Sequence, residues 1–105
     1  MATNGQLVHM VTLDCKDAEH AARCLDALAN YGRPDATAFN CVSYDFGLKV
    51  GSKDTIHIVE RWTSWEDLDA LLAEKVVPAL PRYNELLKRP FNPEADTLRI
   101  SLTGA

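Results

Sequence analysis

The stretch Thr55-Ile56-His57-Ile58-Val59-Glu60-Arg61-Trp62-Thr63-Ser64-Trp65-Glu66-Asp67-Leu68 decides how the rest of the chain is read. Its first half alternates as a strand does, with successive side chains on opposite faces. Ile56, Ile58, Glu60 and Trp62 share one face; His57, Val59 and Arg61 share the other. Ser64 then stands where a helix N-cap belongs, with Asp67 three residues on, a near-match to a capping box. A strand therefore runs directly into a helix, with Trp62 and Trp65 at the junction.

Working outward, Leu7 to Leu13 is a strand that is apolar on both faces. Leu7, Val11 and Leu13 lie on one face together with His9, and Val8 and Met10 lie on the other. Such a strand belongs in the middle of a sheet. Asp17 can cap a helix whose stripe is Ala21, Cys24, Leu25, Leu28 and Tyr31. Gly32 and Pro34 follow where a helix stop is expected. A second strand region runs from Ala38 to Val50, with Gly47 a candidate bulge. The turn-rich Lys49 to Asp54 then joins it to the Thr55 strand as a hairpin. Beyond Leu68, a stripe of Leu71 and Leu72 meets Pro78, which should interrupt or restart the helix. Leu80, Tyr83 and Leu87 continue it, Pro90 and Pro93 end it, and Thr97 to Leu102 is a last strand.

The 105 residues carry 47% hydrophobic and 25% charged side chains, as one ordinary globular domain spanning 1–105 does. No apolar run approaches the ~20 residues of a membrane helix. The N-terminus shows no basic region followed by an apolar core, so a cytoplasmic location is expected. A net charge of −4 with scattered Lys and Arg argues against nucleic acid as the partner. Three cysteines, Cys15, Cys24 and Cys41, sit far apart with no CxxC and read as free thiols.

The order β-α-β-β-α-β predicts an α+β, ferredoxin-like fold: a four-stranded antiparallel sheet with two helices on one face. Right-handed crossovers put the first and third strands side by side in the centre. Two helices cover one face only, so the apolar residues on the other face predict a homodimer with sheets packed face to face.

At this point the chain, from about Leu7 to Leu102, resembles the antibiotic biosynthesis monooxygenase family of dimeric α/β barrels. The family's strand ending Glu-x-Trp, followed by a short turn, an acidic residue and a leucine-containing helix, reads here as Glu60-Arg61-Trp62, Thr63-Ser64-Trp65, Glu66-Asp67-Leu68. The preceding hairpin, on a strand with Tyr44, also fits. Many members carry a histidine on the second helix, near the place of Leu71; this chain has none after His57, which departs from haem-ligating relatives. In haem-degrading members an Asn of the first strand lines the pocket, and His9 falls near that place. The resemblance implies a cofactor-independent monooxygenase for an aromatic, quinol-type metabolite, an oxidoreductase with no cofactor and no metal. A fold alone does not select a chemistry.

Such chemistry needs aromatic walls, a base, and fixed donors for a developing oxyanion. His9 and His57 are the candidate bases, placed on neighbouring strands and read as sharing a face; Trp62 completes the catalytic candidates. Asn40, Tyr44, Trp65, Arg82 and Tyr83 are the candidate substrate-binding residues. Set against these, Trp62, Trp65 and Tyr83 at such positions are more often core plugs than site residues, and Glu60 reads as a structural or interface residue. Cys15, ahead of the first helix, is a weak candidate for a reactive thiol. The competing functions are a non-redox isomerase, cyclase or decarboxylase on the same fold, and a small-molecule-binding dimer without chemistry.

Overall fold

The computed structural model describes residues 6–103. Four strands form one antiparallel sheet in the order β2-β3-β1-β4. They are β1 (Leu7–Asp14), β2 (Ser43–Leu48), β3 (Thr55–Trp62) and β4 (Thr97–Ser101). β1, which is apolar on both faces, and β3 hold the centre, and the fold is the ferredoxin-like α+β arrangement. β2 is shorter than the expected 38–50. Ala38 ends a helix, and pairing runs unbroken through Gly47, which is no bulge. The β2–β3 hairpin closes with Lys49 N–H donating to the Thr55 carbonyl (2.9 Å). Its Gly51 sits at φ +84°, where a side chain would be strained.

Both helical arms lie on the face that carries Ile56, Ile58 and Trp62. The first begins as α1 (Ala18–Ala27), capped by Asp17, whose carboxylate accepts the His20 backbone N–H at 2.8 Å. The expected stop at Gly32 and Pro34 does not occur. The arm passes through a π-helical turn, Leu28–Gly32, and resumes as α2 (Arg33–Ala38). Arg33 N–H donates to the Leu28 carbonyl, five residues back. Pro34 then occupies the first turn of α2, directly after that bond.

The second arm repeats this construction. Ser64 caps α3 (Trp65–Leu71), accepting the Asp67 N–H at 3.1 Å. A π-helical turn, Leu72–Val76, leads into α4 (Val77–Asn84), with Val77 N–H donating to Leu72 and Pro78 in the first turn. The same heptad frames both turns: Leu28-Ala29-Asn30-Tyr31-Gly32-Arg33-Pro34 and Leu72-Ala73-Glu74-Lys75-Val76-Val77-Pro78. A short α5 (Pro93–Asp96) precedes β4.

The core lies between sheet and helices in two clusters. One gathers Val11, Leu13, Ile56 and Ile58 under Cys24, Leu28, Leu86 and Leu87. The other packs Trp62 against Ala36, Leu68 and Leu71. Trp62, Ile56 and Leu68 are fully buried. None of the described helices is long and apolar enough to cross a membrane.

Candidate active site

Strand register creates a polar row across the helix-facing side of the sheet. Tyr44 on β2 is the pairing partner of Glu60 on β3, Glu60 of His9 on β1, and His9 of Arg99 on β4. Hydrophobic rows flank it: Trp62 and Leu7 on one side, Phe46, Ile58 and Val11 on the other. Of this row His9 and Glu60 are buried, which costs free energy unless each finds a partner.

The two at its centre do. His9 and Glu60 are 3% and 5% exposed, and His9 Nδ1 lies 2.9 Å from Glu60 Oε1. The same oxygen accepts the Trp62 indole N–H at 3.0 Å. Indole can only donate, so Oε1 acts here as an acceptor, and His9 Nδ1 is assigned as the second donor to it. In the neutral form of the ring the proton then sits on Nδ1 and the lone pair on Nε2. Glu60 thus orients an imidazole as the carboxylate of a catalytic triad does.

His9 and Glu60 form part of the wall of a cavity of about 800 Å³ between the sheet and both helical arms. This falls within the size range of small-molecule sites. Tyr44, Tyr83, Leu71 and parts of both π-helical turns, among them Gly32 and Leu72, line much of the rest. Burial, reinforced by the charge of Glu60, pushes the Tyr44 phenol well above its ordinary range. Burial pushes Tyr83 up to about 12. Both remain protonated donors at neutral pH. Arg82 reaches the cavity from α4 and has no ion-pair or hydrogen-bond partner among the described residues. Arg99 also lines it but is tied down, donating to Asp69 at 2.7 Å with its guanidinium 5.1 Å above the Trp65 ring.

The structure brings His9, Tyr44, Arg82 and Tyr83 to one cavity. Trp62 is buried behind it and acts on it through Glu60. His57 does not share a face with His9. It pairs with Thr12 on the outer side of the sheet, Nδ1 lying 3.2 Å from the threonine hydroxyl. The reason is register: His9 stands opposite Glu60, an even step along β3 from Trp62, whereas His57 occupies an odd one. Asn40 is exposed in the connection before β2, at φ +72°, away from the cavity. Trp65 packs against the Trp62 cluster, outside the cavity lining. Cys15 is fully buried and its thiol is pushed up by desolvation, the opposite of an activated nucleophile. Among the described residues no group of three or more His, Cys, Asp or Glu is placed to hold a metal ion.

The sequence reading missed Glu60 as a site residue. Its face was visible from the alternation, but its partner depends on how β1 and β3 slide past each other. Arg99 was missed for the same reason.

No family profile matches the sequence, and none of the curated proteins matches it. Solved structures do. PA3566 from Pseudomonas aeruginosa is 19% identical, superposes with a TM-score of 0.73, and the match covers 99% of each chain. A Deinococcus radiodurans protein provisionally named an antibiotic biosynthesis monooxygenase is 21% identical, at a TM-score of 0.69 over 94% of each chain. The ActVA-Orf6 monooxygenase of Streptomyces coelicolor, solved with nanaomycin D, is 11% identical, at a TM-score of 0.74 over 95% of this chain and 89% of its own. At these identities the likeness is one of fold. It is the fold that the Glu60-Arg61-Trp62 strand and the helix after it led us to expect.

Proposed function

We propose that this protein is a cofactor-independent monooxygenase for a hydroxylated polycyclic aromatic metabolite, with His9 as the base. The observation that carries the reading is the buried His9–Glu60–Trp62 chain of hydrogen bonds on the wall of a largely apolar cavity. His9 Nε2 removes the acidic proton of an anthrone-type substrate, and Glu60 stabilises the imidazolium that forms. Arg82 attracts the resulting anion, and the largely apolar wall strengthens that attraction. The electron-rich anion then reduces dioxygen. The methylene carbon loses two hydrogens and becomes a carbonyl, and the second oxygen atom leaves as water. All four electrons come from the substrate, so the reaction balances with substrate and dioxygen alone. The S. coelicolor neighbour, a monooxygenase holding nanaomycin D, supports this choice of substrate class.

The test is oxygen uptake by metal-stripped protein with anthrones and naphthalene diols. Uptake well above the spontaneous rate, lost in His9→Gln, supports the reading. A requirement for added flavin or metal overturns it. A second reading rests on the same dyad: a positioned His–Glu pair moves protons whether or not dioxygen is present. An isomerase, cyclase or decarboxylase would turn over anaerobically, which the oxygenase would not.

The outer face of the sheet presents Met10, Val59, Leu98 and Ile100, with Leu98 56% exposed. We propose that a second copy of the chain covers it, giving a homodimer.

A further inference from the structure

The geometry points to the Tyr44 hydroxyl as the hydrogen-bond donor to a carbonyl or enolate oxygen of the bound substrate, opposite the group that His9 deprotonates. This rests on the oxygenase reading and narrows it to polycyclic ketones. Three independent features converge on Tyr44.

The first is its place. Tyr44 is the β2 member of the polar row, one strand from Glu60 and two from His9. Neighbouring strands lie about 4.8 Å apart, so Tyr44 and His9 are anchored roughly 10 Å apart on the cavity wall. A fused-ring ligand spans such a gap, and a single ring does not.

The second is a vacancy of hydrogen bonding. The Tyr44 hydroxyl has no protein partner among the described residues. Buried tyrosine hydroxyls ordinarily find one. It is not sealed off either, because no described side-chain polar atom is both fully buried and unpartnered. Tyr44 lines the cavity, and its hydroxyl is therefore free to donate to what the cavity holds.

The third is the way the ring is held. It packs edge-to-face with Phe46, centroids 5.9 Å apart, and Arg33 Nε donates to the Tyr44 carbonyl at 3.0 Å. A Cβ on Gly32, in the first π-helical turn, would stand 2.6 Å from the Tyr44 hydroxyl oxygen and 3.4 Å from the ring carbon bearing it. The turn comes close to the phenol tip only because residue 32 has no side chain. The tip is thus fixed by the helix as well as by the strand, which is what a pre-organised oxyanion donor requires. Its raised pKa keeps the proton in place across the working pH range.

The experiment uses two tricyclic probes that are not turned over, fluorenone and fluorene, which differ in one carbonyl oxygen. Binding is read by quenching of the tryptophan fluorescence. Wild-type protein is expected to hold fluorenone about tenfold more tightly than fluorene, the ratio one good hydrogen bond supplies. Tyr44→Phe is expected to erase that preference and leave fluorene binding unchanged. Gly32→Ala, which displaces the hydroxyl without removing it, is expected to do the same. A carbonyl preference that survives in Tyr44→Phe overturns the assignment while the aromatic-site reading stands. If neither probe binds the wild type, the reading of the cavity as a polycyclic-aromatic site falls, and the role of Tyr44 falls with it.

Discussion

At the residue scale the decisive object is one oxygen atom, Glu60 Oε1, which receives both the His9 imidazole and the Trp62 indole. The sequence announces each of the three as unusual on a strand but does not say that they meet. Alternation assigns each to a face; only the register makes His9 the neighbour of Glu60. Glu60→Gln keeps the shape and one acceptor oxygen but loses the charge that stabilises imidazolium. We expect turnover to fall by about 10²-fold or more with little change in substrate affinity, measured as kcat against KM. Trp62 calls for a gentler substitution than alanine. It is fully buried, and Trp→Ala in a core costs about 3–5 kcal/mol, enough to confound any activity assay with unfolding. Trp62→Phe removes the N–H and keeps most of the volume. It should lower turnover several-fold while circular dichroism shows a folded protein; unchanged turnover would mean that the indole only fills space.

At the element scale the two π-helical turns explain both what the sequence concealed and how the cavity is lined. Gly32 and Pro34 read as a stop because glycine favours chain reversal and proline cannot donate. Here the π bond from Arg33 to Leu28 carries the arm across the break, and Pro34 begins the next helix. The Leu-Ala-x-x-x-x-Pro heptad recurs in the second arm with the same outcome, a repeat that single-residue propensities do not expose. A π-helical turn accommodates one extra residue, and each residue of an α-helix turns the chain by about 100°. The turn at Leu72–Val76 therefore sets the phase at which α4 presents Arg82 and Tyr83 to the cavity. Deleting the exposed Ala73, which lies outside the cavity lining, should take out the extra residue and turn both residues off the wall by about 100°. We expect a folded protein that has lost fluorenone binding, by tryptophan quenching, whereas Ala73→Ser should bind normally. Equal binding by the two variants would show that the phase does not matter.

At the scale of the whole molecule, strand order and layering were legible because β1 is apolar on both faces and right-handed crossovers in a β-α-β-β-α-β chain set it beside β3 in the centre. The closing segment was not, because its devices are local. Asp96 is buried and accepts two bonds from the Arg89 guanidinium, at 2.8 and 2.9 Å, and the Asn92 backbone N–H at 2.9 Å. The hydrogen bond and charge of Arg89 hold its carboxyl below the usual range. A depressed folded-state pKa stabilises the fold above the unfolded value of about 3.9, and this is lost as pH falls through the folded value. Acid unfolding should therefore steepen below about pH 4, and Asp96→Asn should flatten that limb and lower Tm at pH 7 by a few degrees. The outer sheet face works on the same scale. It shares no residue with the cavity side, since strand alternation sends Val59 and Leu98 one way and Glu60 and Arg99 the other. The proposed dimer and the proposed chemistry can thus fail separately. Sedimentation equilibrium at micromolar concentration should give twice the chain mass, and Val59→Asp, which sets a carboxylate in the middle of that face, should give the monomer. A wild type that sediments as a monomer would remove the dimer and leave the His9–Glu60 site as it stands, because every residue of that site comes from one chain.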